Sequence, residues 1–259
     1  MKKLFEVKNL NIFFTCKDYL LENLNFSINE GEVIAIVGKS GIGKTVLLRS
    51  ILNLLPKDLS FSGEFYWQEK LINETKQNAL RGEQISLIPQ NISYFDPLMR
   101  VGKFACGKFG KSKMDDVKKL FIEFGLREND TELYPYEISG GMARKILLIT
   151  AIISDAALFL ADEPTVGLDN KSILHVKDIF SKMKEKNKSV ILVTHDINFA
   201  LDVASKVIIL HDKKIVETLN AKNPNPINTY TKALFSTMVE NDFINSPYIN
   251  IKTKDKLEA

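Results

Sequence analysis

The chain has 259 residues, of which 45% are hydrophobic and 26% charged, with only 13 Gly and 8 Pro. That length buries a sizeable core, and the composition excludes a disordered, collagenous or disulfide-stapled protein. The 35 basic and 32 acidic residues leave a formal charge of +3, too weak to argue for nucleic acid and compatible with resting on an anionic membrane surface.

Cys16 and Cys106 lack CxxC spacing and read as reduced thiols of a cytosolic protein. No window approaches the ~18 to 20 apolar residues that span a bilayer. The longest candidate, 146–153, stops at Ser154-Asp155. Lys2 and Lys3 resemble a signal n-region, but Glu6, Lys8 and Asn9 interrupt any apolar stretch behind them.

In chain order, residues 4–30 alternate in hydropathy (Phe26, Ile28) and predict antiparallel strands. The run 33–37 (VIAIV) has no polar alternation and predicts a strand buried on both faces. A helical stretch is expected over 46–55, and 61–72 (Phe61, Phe65, Trp67) alternates again. Helical spacing dominates 112–153, followed by two more apolar strands, 158–161 (LFLA) and 190–193 (VILV). After Ala221 the chain is polar and proline-broken, with a short helix expected over 230–239 and a charged tail from Lys252. There is no internal repeat. This predicts an α/β core with a β-rich layer and an inserted helical lobe.

Each of the three apolar strands ends in a polar or glycine-rich element, and in open α/β sheets ligands lie beyond the strand carboxyl ends. After the first comes GKSGIGKT (Gly38, Lys39, Ser40, Gly41, Ile42, Gly43, Lys44, Thr45), which fits GxxxxGK[ST] between strand and helix. Glycines let backbone N–H groups turn around phosphate, Lys44 reaches the β and γ phosphates, and Thr45 offers a hydroxyl to Mg²⁺. After the second come Asp162, which suits a Mg²⁺ shell, and Glu163, placed to polarise a water. Paired acids at a strand end can also simply be solvated. His195 follows the third strand; a lone His is more often a packed core residue, but this one sits where the other strand ends converge. Ser139, Gly140 and Gly141 open the apolar helical run 146–153 and form a second anion-binding helix terminus, which one nucleotide does not need from one subunit.

Together these motifs resemble the nucleotide-binding ATPase subunit of an ABC transporter, over residues 4–220 and in the family's order. The resemblance implies a P-loop NTPase with a RecA-like parallel sheet core, an antiparallel β layer and an inserted α-helical subdomain. The ATPase domain would cover 1–220 (core 1–93 and 155–220, helical subdomain about 94–154), with 221–259 a partly helical or mobile extension. It also implies ATP and Mg²⁺ as ligands, GKSGIGKT as Walker A, Gln90 as the Q-loop glutamine contacting Mg²⁺ or the attacking water, ISGGM (138–142) as the signature, LFLADE as Walker B, TVGLD (165–169) with Asp169 as the D-loop, and His195 as the switch histidine. Phe14 is the aromatic assigned to adenine, with Phe13, Tyr19 or an ordinary strand role as alternatives. In the family, two subunits pack head to tail and Ser139 of one closes over the phosphates of the other.

The likeness extends to the peptide and nickel importer branch. It rests on Leu80-Arg81-Gly82 with Ile85, on Asp96-Pro97, on Tyr134-Pro135-Tyr136-Glu137, and on a 228–234 segment similar to HPYTxxL with Ile227 and Asn228 in place of His-Pro. Met142 stands where most signatures have Gln, which in this branch resembles the first of two non-identical ATPase subunits. The implied partners are a sister ATPase, in a heterodimer or else a homodimer, two integral permease subunits that meet the region from Tyr94 to Pro97, and indirectly an extracytoplasmic solute-binding protein. The implied location is peripheral, on the cytoplasmic face of the membrane. His175, His195 and His211 have no metal-ligand spacing, so the chain itself holds no nickel cargo. A soluble ABC ATPase acting on DNA would need a long heptad insertion between Gln90 and Ser139, yet only 49 positions separate them. A ribosomal one would carry two cassettes. A small-molecule P-loop kinase would leave ISGGM unexplained.

Overall fold

The computed structural model describes residues 2–15, 18–90 and 95–241. Two sheets share one core. The first is antiparallel, built from β1 (Lys3–Phe14), β2 (Tyr19–Asn29), β4 (Leu59–Trp67) and β5 (Lys70–Ile72) in the order β2-β1-β4-β5. The second adds β3 (Val33–Val37), β6 (Ile85–Ile88), β7 (Leu158–Asp162), β8 (Ser189–Thr194), β9 (Lys206–His211) and β10 (Lys214–Asn220) in the order β10-β9-β3-β8-β7-β6. All its pairs are parallel except β9 with β10.

The apolar runs are buried on both faces because successive side chains point oppositely. From β3, Val33, Ala35 and Val37 pack on one side of the sheet, and Ile34 and Ile36 on the other. Phe159 and Ala161 of β7 join the first side, with Leu158 and Leu160 on the second. The second side is covered by α1 (Lys44–Ile51) and the antiparallel sheet. The first carries α3 (Val101–Cys106), α4 (Met114–Glu123), α5 (Gly140–Ile153), α6 (Asn170–Glu185) and α7 (Ile197–Val203).

Several elements differ in detail from expectation. The helix expected over 46–55 starts earlier, at Lys44, and stops at Ile51. Asn53 takes φ +53° just beyond it while Leu54 N–H returns to Arg49 O at 2.9 Å, a left-handed closure that ends the helix early. The antiparallel layer contains a mirrored pair of kinks. Asn9 and Asn23 both have left-handed φ (49° and 50°), and their N–H groups donate to Asn25 Oδ1 and Asn11 Oδ1, each at 2.9 Å.

The last helix, α8, runs from Thr229 to Asn241, somewhat longer than expected. Tyr230 stacks on His211 with ring centroids 3.6 Å apart, and Glu217 accepts the Ile227 N–H at 2.7 Å, tying the helix to β9 and β10. α2 (Glu74–Leu80) lies beside β5. Cys106 is a buried free thiol, as expected, while Cys16, Tyr94 and the tail from Lys252 lie outside the described residues. Among those described, no helix is long and apolar enough to cross a membrane.

Candidate functional site

The three strand ends converge. Between β3 and α1, Gly41 and Gly43 hold φ of +82° and +106°, where a side chain is strained. A Cβ on Gly38 would come 2.7 Å from Leu210 O, so this position also requires glycine. The N-cap of α1 is Gly43, with no side chain on the first N–H groups, whereas α6 and α7 are capped by Asp169 and Asp196. Free N–H groups and the positive end of the helix dipole favour an anion there. Lys39, Ser40 and Gly41 are exposed and Ile42 half-buried, while Lys44 is buried and donates to Gly38 O at 2.7 Å and Lys39 O at 3.1 Å. The loop is wrapped around an ammonium.

Strand parity sorts the two acids. Asp162, in step with Leu158 and Leu160, faces α1 and accepts the Thr45 hydroxyl at 3.0 Å. Burial pushes its carboxyl above the ordinary value, and the Thr45 hydrogen bond offsets part of that. Gln90 joins the same place: Thr45, Arg49, Gln90 and Asp162 border one cavity of about 170 Å³.

Glu163 leaves the strand at φ +47°, its N–H held by Val193 O at 3.0 Å. Its two oxygens have different neighbours. Oε1 lies 3.4 Å from Lys44 Nζ. Oε2 accepts the Thr194 hydroxyl at 3.1 Å and lies 3.0 Å from His195 Nδ1. The imidazole of His195 is 58% exposed, so it is a surface group beside the carboxylate and not a packed core residue.

The other predicted residues stand apart. Ser139 caps α5, accepting the Met142 N–H at 3.2 Å. A Cβ on Gly140 would meet nothing within 4 Å, so the packing of this chain does not require glycine there. Asp169 caps α6 through the Ser172 N–H (2.9 Å) and hydroxyl (3.0 Å), which hold its carboxyl below the ordinary range. Among the described residues, no hydrogen bond or ion pair joins Ser139, Gly140, Gly141 or Asp169 to the 38–45 loop.

Parity also separates the aromatics. Phe14 falls in step with buried Ile12 and opposite Leu59, on the face that packs against α1. Phe13 pairs with Tyr19 edge-on at 6.1 Å on the opposite face. Two neighbours of the site had not been singled out from the sequence. Arg49 lies one turn after Thr45, a helical spacing that could have revealed it, and Thr194 ends β8 in step with Leu192, on the face opposite Val193.

Residues 21–166, more than half of the chain, match the family described as ABC transporter. The chain belongs to the ABC transporter family. It is an ATP-binding ATPase subunit, with the fold expected of one. It is 30% identical over 258 residues to the dipeptide transport ATP-binding protein DppD of Lactococcus lactis subsp. cremoris, covering 92% of this chain and 74% of that one. To the metal-staphylopine import system ATP-binding protein CntD of Staphylococcus aureus it is 31% identical over 251 residues, covering 90% and 93%. Among solved structures, the dimeric ABC cassette MJ0796 bound to ADP and Pi superposes with a TM-score of 0.73 at 24% identity, covering 85% of this chain and all of that one. That likeness is one of fold.

Proposed function

We propose that this ABC ATPase powers import of a peptide or metal chelate across the cytoplasmic membrane, hydrolysing ATP between two cassettes packed head to tail. The observation that carries it is the convergence of Lys44, Thr45, Asp162 and Glu163 at the ends of β3 and β7, with Lys44 buried inside a glycine loop. The relatives' names, dipeptide transport and metal-staphylopine import, supply the cargo class.

In this reading the loop from Gly38 to Thr45 cradles the phosphates, and Lys44 exchanges its carbonyl partners for phosphate oxygens. Phe14, on the α1 face, stacks on adenine. The oxygen donors bordering the small cavity, Thr45, Asp162 and Gln90, fit a hard divalent cation, and the Asp162 carboxylate among them is buried. Those residues would hold Mg²⁺, which would neutralise phosphate charge there. Glu163 takes a proton from water as the water oxygen bonds to the γ-phosphorus. The bond from that phosphorus to the bridging oxygen breaks, leaving ADP and phosphate. His195 orients the Glu163 carboxylate from the exposed side.

Ser139, Gly140 and Gly141 serve the opposite subunit's nucleotide, and the open space at Gly140 supports an approach from outside this chain. Asp169 lies at the same seam. The ATPase domain is residues 1–220 with the helical lobe at 94–154, and the partners are a sister ATPase and two permease subunits on the cytoplasmic face. Affinity recovery of the tagged chain from detergent-solubilised membranes tests this reading. Two integral membrane proteins and a second ATPase are expected, and recovery of nucleic acid or ribosomes without permeases would overturn it.

A further inference from the structure

Thr194 ends β8 with no exposed surface, and its hydroxyl sits between two fixed groups. Oγ1 accepts the Asp196 N–H at 3.0 Å and lies 3.1 Å from Glu163 Oε2. A threonine hydroxyl has one proton. With the Asp196 N–H pointing at the oxygen, that proton is directed to the carboxylate, the acceptor it meets among the described residues. We infer that Thr194 is a positioning residue for Glu163, holding Oε2 so that Oε1 stays aimed at the attacking water. This rests on Glu163 being the proton acceptor.

The need for such a hold follows from the two sides of the carboxylate. Oε1 has Lys44 as its neighbour in this structure, at 3.4 Å. Once Lys44 binds phosphate, that contact weakens, and Glu163 is left on a left-handed backbone at the end of a strand. Oε2 keeps the Thr194 hydroxyl, the His195 backbone N–H at 3.4 Å and the His195 ring. His195 is more than half exposed and free to change rotamer, whereas Thr194 is sealed in the sheet and tied to the first turn of α7 through Asp196. Thr194 is therefore the buried side chain that, together with the His195 backbone N–H, fixes the direction in which the carboxylate is aimed.

The test is ATP turnover by the assembled transporter carrying Thr194→Val, Thr194→Ser, Thr194→Cys or Glu163→Gln. The inference predicts that Thr194→Val lowers kcat by ~10- to 100-fold with KM for ATP within about twofold, since misaiming a group costs rate and not binding. Serine restores kcat to within about threefold, and cysteine, a weaker donor of similar size, falls between. On the Glu163→Gln background, Thr194→Val gives no further loss. Should the valine variant not fold, the cysteine variant decides: wild-type kcat with cysteine overturns the inference, as does a serine variant as slow as valine. A Glu163→Gln enzyme with normal turnover removes the proton-acceptor reading itself. A dead Glu163→Gln beside a fully active Thr194→Val removes only the role of Thr194.

Discussion

Lys44 Nζ lies 3.4 Å from Glu163 Oε1, and both side chains are at least nine-tenths buried. The pair joins the glycine loop after β3 to the end of β7 and places the cation proposed to bind phosphate against the carboxylate proposed to accept the proton. Removing one member of a buried ion pair strands the other, at a cost of ~3 kcal/mol or more. Lys44→Ala should therefore lower the melting temperature of the nucleotide-free chain and abolish the rise that ATP gives the wild type. Thermal shift with and without ATP checks both parts.

Glu163→Gln keeps the shape and the Thr194 hydrogen bond but removes the proposed proton acceptor. Turnover should fall by ~10²- to 10⁴-fold while ATP affinity stays within a few-fold of wild type. Steady-state hydrolysis and fluorescent-nucleotide titration on the same preparation separate these outcomes, and unchanged hydrolysis contradicts the assigned role.

Phe14→Ala should weaken ATP binding by ~5- to 100-fold, the range of one lost base-stacking contact, with little change in kcat at saturation. Phe13→Ala should leave ATP affinity unaltered, because its ring pairs with Tyr19 on the other face of β1. Isothermal titration with ATP distinguishes the two, and the reverse ordering would reassign the stacking aromatic.

Asp169 gives a pH dependence of known sign. The Ser172 N–H and hydroxyl hold its carboxyl below the ordinary range. A depressed folded value means that its stabilising contribution is present above the unfolded value, near ~3.9, and is lost as pH falls through the folded value. The melting-temperature gap between wild type and Asp169→Ala should thus be constant from neutral pH down to ~4 and close below it. A gap that persists at lower pH would place the stabilisation elsewhere.

Much of this arrangement was legible in the residues. The run VIAIV announces a strand buried on both faces, and counting alternate residues along LFLAD places Asp162 on the α1 face and Phe159 on the other. The same counting separates Phe14 from Phe13. What could not be read were features set by the way strands pair and helices end. Asn53 stops α1 early by taking a left-handed conformation, whereas the hairpin turn at Asp212-Lys213, with φ of +46° and +67°, is legible in the sequence even without a glycine. Thr194 reads in the sequence as the polar end of the third apolar strand, but its contact with Glu163 does not, because that partner is 31 residues away and is reached through the pairing of β7 with β8. The left-handed backbone of Glu163, whose carboxylate lies 3.4 Å from Lys44 Nζ, has no signature in residue type.

The claim on which the rest depends is that ATP lies between this chain's glycine loop and the serine-capped helix of the facing ATPase, with Ser139 returning the same service. The most direct measurement is a structure of the assembled complex carrying Glu163→Gln, with Mg-ATP bound. The account predicts the terminal phosphate within hydrogen-bond distance of Lys44 in one site, and Ser139 within that distance of the nucleotide held by the opposite subunit. Ser139 facing solvent, with ATP bound by one subunit alone, would contradict it.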